Sequence, residues 1–547
     1  MKTSRIGRWG MVLGIAFLAS QVALAGGADA VTADEQSELR QKALSLNDIT
    51  GDDPIEGQVK DLVADPAGTK KLLAVAVKMA KEKEQPFNFN GAYILASAAR
   101  QLKDLESGQV LYRVCANEAL KLRSTDKMAE AYLGLCELLM EHKKYDEEVK
   151  VCQEVLEIPD PDGHLGGLKG LVWRQMVRSK AKQGKTDEAL KLVDNLLKNR
   201  PDNWMVLDTK GWVQREAGKF ADAAKSWETA LDSIQKDKDL KKEQKNSLAK
   251  EIQFKLGSTY LDLDQLDKAT DLLKPLLSED EETPGIKGRL LYILEFGRLI
   301  REKTKQDKTA QTVKLMDSLV KALPNNWSVL YLKGFAESAA GDSEQAAKTW
   351  EDVLKRIEKD EGLKKDKEIG NEFIKEMHLR LSNVYVDVNQ IDKAADHLKD
   401  VLAEDPDDPG ANNDLGYIWA DHDMNLDEAE KMIRKALDED RKRRQKDPDQ
   451  NSGADNAAYL DSLGWVLFKK KKYQEAKVPL LEAVKDKDGK HVEIYDHLGD
   501  VHMALGEKAE AIAVWKEALK LETEGKREKE IKAKVDKKLK EAMGEKK

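Results

Sequence analysis

Residues 457–519 contain one pattern twice: AAYLDSLGWVLFKKKKYQEAKVPLLEAVKDKDGKHVEIYDHLGDVHMALGEKAEAIAVWKEAL. Gly464 and Gly499 lie 35 residues apart, and Ala476 and Ala511 keep the same spacing. Large apolar residues surround these small ones at helical intervals, and a period of about 34 residues is typical of stacked helix–turn–helix units. The small residues are needed because two antiparallel helices approach closely only where one of them presents Gly or Ala. The stretch therefore predicts two pairs of antiparallel helices.

The order of residues in both copies matches a known repeat. In the N-terminal repeat of this stretch, Tyr473 and Ala476 follow the Leu-Gly step at 463–464. In the C-terminal repeat, Trp515 follows the Leu-Gly step at 498–499. This order resembles the tetratricopeptide repeat (TPR) family, whose pattern has Leu-Gly, Tyr, Gly, Ala, an aromatic residue and Ala at fixed offsets. The resemblance implies an all-α, right-handed superhelical solenoid of antiparallel helix pairs, with the first helix of each pair lining a concave face.

The middle of the chain contains a larger duplication. Residues 178–231 align with 301–354 without gaps, with 26 identities in 54 positions. After an insertion of two residues, 250–277 align with 375–402, with 13 identities in 28 positions. Composition alone would not keep these identities in register, so we infer that a block of three repeats was copied as a unit. We call 178–277 the first copy and 301–402 the second copy.

The composition excludes some classes of function. Charged residues make up 35% of the 547 residues, aromatic residues make up 6%, and the formal net charge is −9. This profile is typical of a helical, highly solvated protein. An acidic surface with evenly mixed charges gives no electrostatic reason to expect nucleic-acid binding.

The first 25 residues have the features of a secretory signal peptide. Basic residues precede an apolar run at 11–19, and Ala23-Leu24-Ala25 offers a small-x-small cleavage site. We therefore expect cleavage near Ala25 and export, to a bacterial periplasm or to the outside of the cell. No later apolar segment is long enough to cross a bilayer, so we expect no transmembrane span. Peripheral association with the cell envelope stays open.

The remaining chain divides into four predicted parts. Residues 26–52 are expected to be a flexible lead-in, and 53–90 two capping helices broken at 65–68. Residues 91–521 form the array of about 10–11 TPR units, with the duplicated blocks near 168–290 and 291–415. Residues 522–547 are expected to be a charged helical tail that covers the last repeat.

Charged insertions lengthen the array at three places. Residues 236–250 and 359–375 predict either a second helix that extends into solvent or a charged loop. The basic cluster 441–446 could bind an acidic partner or lipid headgroups. Acidic residues at 438–440 stand beside it, so a self-neutralising exposed loop is the favoured interpretation.

No catalytic motif or cofactor motif is found in the sequence. There is no Gly-rich phosphate loop, HExxH, paired CxxC or nucleophile elbow. The densest histidine group, His491, His497 and His502, does not present a shared metal-binding face, because His497 and His502 project about 140° apart on one helix. We therefore predict no catalytic site, no metal and no cofactor. For Cys136 and Cys152, a disulfide and two buried thiols are both open.

One recurring position stands out as a candidate for binding. An aromatic residue directly follows the repeat glycine in four first helices: Trp212, Phe335, Tyr417 and Trp465. Such a row would give an extended peptide or a partner helix stacking and apolar contacts. Asp208 and Asp461, one helical turn before Trp212 and Trp465, could receive basic side chains of the partner. The competing interpretation is that these rings pack between successive first helices.

The predicted function is a non-catalytic, exported scaffold or adaptor that binds protein or peptide partners through its concave groove. Alternatives within this class are an accessory component of polysaccharide export or envelope assembly, or of a protease complex. Two other classes stay open: an enzyme acting on envelope polymers, and a structural protein that self-assembles end to end. The partner itself is not encoded in any motif of the chain.

Overall fold

The computed structural model describes residues 33–82, 86–278, 286–446, 455–486, 488–523 and 526–544. Within these ranges the regular structure is α-helical, apart from one 3₁₀ turn at Leu46–Asp48, and no strand is present. The predicted all-α solenoid of antiparallel helix pairs is confirmed. The predicted signal peptide, residues 1–25, lies outside the described residues.

Three helices precede the repeats: α1 (Ala33–Ser45), α2 (Asp52–Ala64) and α3 (Pro66–Ala80). The chain breaks at Asp65, whose carboxylate accepts a hydrogen bond from the Gly68 backbone N–H and so caps α3. The expected flexible lead-in at 26–52 differs from the structure over residues 33–48. Helix α1 packs against α3, and Ala43 and Leu46 are buried. Apolar side chains at helical spacing give this segment a face that α3 covers.

Eleven helix pairs follow in the described part of the chain, each joined by a short turn. The first six are α4 (Phe89–Gln101) with α5 (Leu105–Leu122), α6 (Thr125–Glu141) with α7 (Tyr145–Glu157), α8 (Gly166–Lys182) with α9 (Thr186–Asn199), α10 (Trp204–Glu216) with α11 (Phe220–Lys236), α12 (Lys242–Asp262) with α13 (Leu266–Leu277), and α14 (Ile286–Lys305) with α15 (Thr309–Ala322). The last five are α16 (Trp327–Ala339) with α17 (Ser343–Ile357), α19 (Lys367–Asp387) with α20 (Ile391–Glu404), α21 (Pro409–Asp421) with α22 (Leu426–Lys446), α23 (Ala457–Lys469) with α24 (Tyr473–Ala483), and α25 (Val492–Ala504) with α26 (Lys508–Ala518). A short helix, α18 (Glu361–Lys365), precedes α19.

Glycines in the first helices let the partner helix approach. At Gly211 an added Cβ would lie 2.7 Å from the Trp227 ring, and at Gly499 it would overlap the Trp515 ring. Both Trp rings are buried against these glycines. A large ring opposite a missing side chain is the packing that the sequence pattern predicted.

The charged insertions in the two copies lengthen first helices. Helices α12 and α19 each run for 21 residues, and both begin within the inserted segments 236–250 and 359–375. The sequence predicted a longer second helix or a loop, so this assignment was wrong. Charged residues of both signs at helical spacing continue a helix as readily from its start as from its end.

The basic cluster 441–446 continues helix α22 and is not a loop, contrary to expectation. The charges at 441–444 are paired with acidic residues of the chain, as predicted. Arg441 pairs with Asp455 at 2.5 Å, and Arg444 pairs with Asp440 at 2.8 Å. These ion pairs favour a structural role for the cluster.

The last helix, α27 (Lys526–Met543), covers the C-terminal end of the array. It packs against α25 and α26 and buries Ile531, Val535 and Leu539 next to Trp515. Its other positions are mostly charged, which gives the end of the solenoid a polar outer surface. Among the described residues, no helix has both the length and the apolar composition to cross a membrane.

Candidate functional site

The four recurring aromatic residues all lie on first helices and are all half-buried. Trp212 is on α10, Phe335 on α16, Tyr417 on α21 and Trp465 on α23. Each ring contacts a side chain from another first helix. Both interpretations therefore describe part of the geometry, because the rings pack between first helices and still keep some surface open to solvent.

Asp208 is buried, with only 2% of its surface exposed. Its carboxylate accepts hydrogen bonds from Trp227 Nε1 at 2.9 Å, Lys255 Nζ at 2.8 Å and Arg174 Nη2 at 3.1 Å. These donors come from α11, α12 and α8, so Asp208 joins three neighbouring helices to α10. The carboxylate is not available to the basic side chain of a partner, in contrast to the expectation. A buried charge needs such partners, and the chain itself supplies them.

Asp461 is likewise buried and paired within the chain. It lies 2.9 Å from Nδ1 of His497, and the His497 ring stacks on Trp465 with centroids 4.0 Å apart. Burial alone would lower the pKa of His497, but the neighbouring carboxylate of Asp461 raises it above the usual value. Asp461, which was expected to receive a basic side chain of the partner, is therefore part of a link between α23 and α25.

The rings of Tyr417 and Trp465 both contact His497, and their polar atoms are bonded to other acidic residues. The Tyr417 hydroxyl donates to Glu493 Oε1 at 2.8 Å, and the Trp465 Nε1 donates to Asp421 Oδ1 at 3.0 Å. Burial, reinforced by Glu493, raises the pKa of Tyr417 well above its usual range. Polar atoms of both residues are thus used inside the array, and only ring surface remains for a partner.

Phe335 is covered by a cation of the chain. The Arg380 guanidinium lies 3.8 Å from the centre of the Phe335 ring, and its Nε donates to Glu376 at 3.0 Å. The ring also meets Tyr331 edge-on, with centroids 5.0 Å apart. This position is closed by an aromatic, cationic and acidic side chain that satisfy one another.

Trp212 has a different environment. The Arg178 guanidinium lies over its ring, with Cζ 5.2 Å from the centroid, and Nζ of Lys182 lies 5.5 Å from the same centroid. Among the residues that the structure describes, no carboxylate forms an ion pair with Arg178, and its Nε has no hydrogen-bond partner. The neighbouring cations are paired: Arg174 with Asp208, and Lys182 with Glu216. Burial lowers the pKa of Arg178 to about 10, which leaves it charged at neutral pH.

Sequence reasoning missed Arg178. It precedes Trp212 by 34 residues, one repeat period, and so occupies the same position in the preceding first helix. That position was recognised by its aromatic residues alone, so an arginine there was not identified as their equivalent. Listing every residue type at the recurring position would have found it.

The histidines and cysteines singled out in the sequence fall at separate places. His491, His497 and His502 each have their own acidic partner, respectively Glu528, Asp461 and Glu507. Cys136 and Cys152 are buried with their sulfur atoms 3.7 Å apart. This separation brings the two thiols together without a bond between them.

Three stretches of the array match family models described as tetratricopeptide repeat: residues 174–238, 379–449 and 492–524. These matches support tetratricopeptide repeats in both copies of the duplicated block and at the C-terminal end. No curated protein sequence matches the chain significantly.

Several solved structures resemble parts of the solenoid. MamA from Desulfovibrio magneticus RS-1 is 18% identical, covers 35% of this chain and 93% of its own, and has a TM-score of 0.27. Yeast Tom70 is 14% identical, covers 92% and 96%, and has a TM-score of 0.34. A thermophilic TPR protein of Thermus thermophilus, TTC0263, is 18% identical, covers 38% and 95%, and has a TM-score of 0.27. At these sequence identities and TM-scores, the resemblance carries no argument about partners.

Proposed function

We propose that this chain is a non-catalytic scaffold or adaptor, exported to the bacterial cell envelope, that binds other proteins along the face of its first helices. A helical solenoid presents a preformed surface, so a partner binds without ordering the scaffold first. Fold alone does not define function, so the proposal depends on a particular place on that face.

The single observation that carries the proposal is the pair of Arg178 and Trp212, in which Arg178 has no ion-pair partner among the described residues. A half-buried guanidinium without a carboxylate partner, lying over an indole ring, is suited to accept a carboxylate from outside the chain. The ring adds apolar and stacking surface beside the charge. We therefore expect the partner to present an extended segment that carries Asp or Glu next to an apolar side chain.

Two of the other three aromatic residues would extend this surface along the array, and the third, Phe335, is covered by Arg380. Tyr417 and Trp465 keep part of each ring open while their polar atoms are satisfied within the chain. They offer apolar contact and no unpaired charge. Asp208 and Asp461 are not included in the proposed surface, because both hold helices together.

Export to the envelope is the part of the proposal that depends on the first 25 residues. Their charge and apolar pattern supports a cleavable signal peptide. Within the envelope, such an adaptor could serve polysaccharide export or assembly. It could equally serve as an accessory component of a protease complex. Fractionation of cells with detection of the processed N-terminus tests this part independently of binding.

The binding experiment compares variants of the full mature chain as bait in an envelope extract, with captured proteins identified by mass spectrometry. We expect Arg178→Gln and Trp212→Ala to lose the same specific protein that the unchanged chain captures. Arg301→Gln is the matched control, because Arg301 is the equivalent of Arg178 in the second copy and is exposed. Trp465→Ala tests whether the surface reaches the C-terminal repeats.

Circular dichroism must show that each variant keeps its helical content. Equal capture by Arg178→Gln, Trp212→Ala and the unchanged chain would overturn the binding proposal. We also expect a monomer in light scattering, because helices α1–α3 and α27 cover the two ends of the array and so oppose end-to-end stacking.

A further inference from the structure

A cluster of potential metal ligands lies between helices α19 and α20, away from the aromatic row. Nδ1 of His378 lies 3.0 Å from Nδ1 of His397 and 3.4 Å from Oδ2 of Asp400. The ligand atoms of all three residues lie within 4.8 Å of one another. His397 and Asp400 are three residues apart on α20, so they share one face of that helix.

These separations match those between the ligands of one metal ion. Two atoms that bind Zn²⁺ at about 2.0–2.1 Å in a tetrahedral arrangement lie about 3.3 Å apart. Imidazole nitrogen and carboxylate oxygen are both common zinc ligands. The Asp400 side chain is 61% exposed, so solvent can supply a fourth ligand.

The surroundings favour the ligand form of the histidines. Burial lowers the pKa of His378 and of His397, so both rings are neutral at physiological pH. The Tyr385 ring stacks on His397 with centroids 5.6 Å apart and planes 10° apart, and the Tyr385 hydroxyl donates to Glu351. This stack fixes the plane of the His397 ring, as supporting residues do around metal ligands.

The first copy of the duplicated block shows that packing does not require these residues. Gln253, Leu272 and Pro275 occupy the positions of His378, His397 and Asp400. The same pair of helices forms there, and Tyr260 donates to Glu228 as Tyr385 does to Glu351. The three ligand-type residues are therefore an addition to a helix pair that folds without them.

We propose that His378, His397 and Asp400 form a binding site for one divalent transition-metal ion, for which Zn²⁺ is the probe. A bound ion would cross-link α19 to α20 and so stabilise the eighth helix pair. This inference is independent of the proposed protein-binding surface, because none of its three residues belongs to that surface.

The test is a titration of the full mature chain, freed of metal with EDTA and then dialysed, with Zn²⁺ against a chromophoric chelator. We expect one ion per chain. His378→Gln and His397→Leu install the residues of the first copy, and each should weaken binding by roughly 100-fold or more. Asp400→Asn alters an exposed side chain that the fold does not need, and it should weaken binding by about 10-fold.

The control is His164→Gln, which removes an exposed histidine outside the cluster and should bind Zn²⁺ like the unchanged chain. A second measurement is the melting temperature, which Zn²⁺ should raise for the unchanged chain and for His164→Gln but not for His397→Leu. The proposal is overturned if the unchanged chain binds no Zn²⁺, or if His397→Leu and Asp400→Asn bind it with unchanged affinity.

Discussion

The two copies of the duplicated block share their packing and differ on their surfaces. In both copies a tyrosine hydroxyl donates to a glutamate of the preceding second helix, and a lysine ammonium lies 4.8 Å from the centre of the tyrosine ring. In both copies a lysine of the first helix pairs with an aspartate at 2.8 Å, Lys210 with Asp194 and Lys333 with Asp317. These contacts hold the helices in place.

The largest difference lies on the first helices, where Tyr331 replaces Asp208. In the first copy the Asp208 carboxylate gathers Trp227 Nε1 and Lys255. In the second copy Trp350 Nε1 donates to the Tyr331 backbone oxygen at 3.2 Å, and the Tyr331 hydroxyl donates to Glu376 at 2.8 Å. Position 331 carries no carboxylate that could bind the cation equivalent to Lys255. That cation, Arg380, covers the Phe335 ring instead.

This substitution changes what the surface can bind. In the second copy, the cation beside the aromatic ring, Arg380, is paired with Glu376, as its equivalent Lys255 is with Glu251 in the first copy. In the first copy, Lys255 is held by Asp208, and Arg178 is left over the Trp212 ring without an ion-pair partner among the described residues. Duplication has kept one scaffold and given its copies different surfaces. We expect the first copy to be the one that binds the partner.

The largest losses of stability should be similar in the two copies, because they depend on the packing that both copies have in common. Trp227 and Trp350 are buried to 1% and 2% exposure, and each fills the space beside a glycine. Trp227→Ala and Trp350→Ala should each lower the local free energy of unfolding by about 3–5 kcal/mol. Hydrogen exchange of the amides in α10–α11 and α16–α17 measures this. A loss in one copy that is several times the loss in the other would contradict a common scaffold.

The next prediction is a difference in stability cost between equivalent positions of the two copies, 208 and 331. Asp208→Ala leaves the Arg174 and Lys255 charges without their buried partner and should cost about 3 kcal/mol. Tyr331→Phe removes one hydrogen bond and should cost about 1 kcal/mol. Hydrogen exchange in α10 and α16 again provides the measurement. Equal costs would show that Asp208 does not act as the junction of its four helices.

A pH effect should appear in the second copy alone. Burial lowers the pKa of His378 and His397 in the folded chain, so the unfolded chain binds more protons below its histidine pKa of about 6.5. The stability of α19–α20 is therefore full above that pH and falls as the pH drops toward the folded pKa. Asp400 opposes this shift without reversing it.

With EDTA present, hydrogen exchange corrected for intrinsic rates should show α19–α20 opening more readily at about pH 5.5 than at about pH 7.5. Helices α12–α13, which have Gln253 and Leu272 at these positions, serve as the internal control. The same pH dependence in both copies would show that the two histidines are not its source.

The smallest loss of stability should again be similar in the two copies. Lys268 and Lys393 are exposed and lie 4.8 Å from the centres of the Tyr260 and Tyr385 rings. Lys268→Met and Lys393→Met should each cost about 0.5 kcal/mol, the value of an exposed cation–π contact. Thermal melting of the two single variants and the double variant measures it. A difference between the single variants larger than that value would count against equivalent packing.

The fold could be predicted from the sequence because its signals are local and repeated. Gly211 opposite Trp227 and Gly499 opposite Trp515 follow a fixed spacing, so packing is readable from the residues alone. The charged insertions were assigned to longer second helices or to loops, because helical charge spacing does not tell which neighbouring helix continues.

The site was only partly predictable. The sequence located Trp212, but burial and pairing decide what each neighbour does, and these arise from contacts between repeats. Asp208 was expected to bind a basic side chain of the partner. In the structure its carboxylate accepts hydrogen bonds from Trp227 and Lys255, which lie 19 and 47 residues away in the sequence. His378 and His397 were missed for the same reason, since they meet only when two helices pack.

The most direct measurement places a photo-reactive phenylalanine analogue at position 212 or at position 335, and cross-links the chain in the cells that produce it. We predict a cross-linked protein at position 212 that is lost when Arg178→Gln is added, and no such product at the closed position 335. Products of equal yield at both positions, or a product at 212 that is unaffected by Arg178→Gln, would contradict the claim that the open Arg178–Trp212 pair receives the partner.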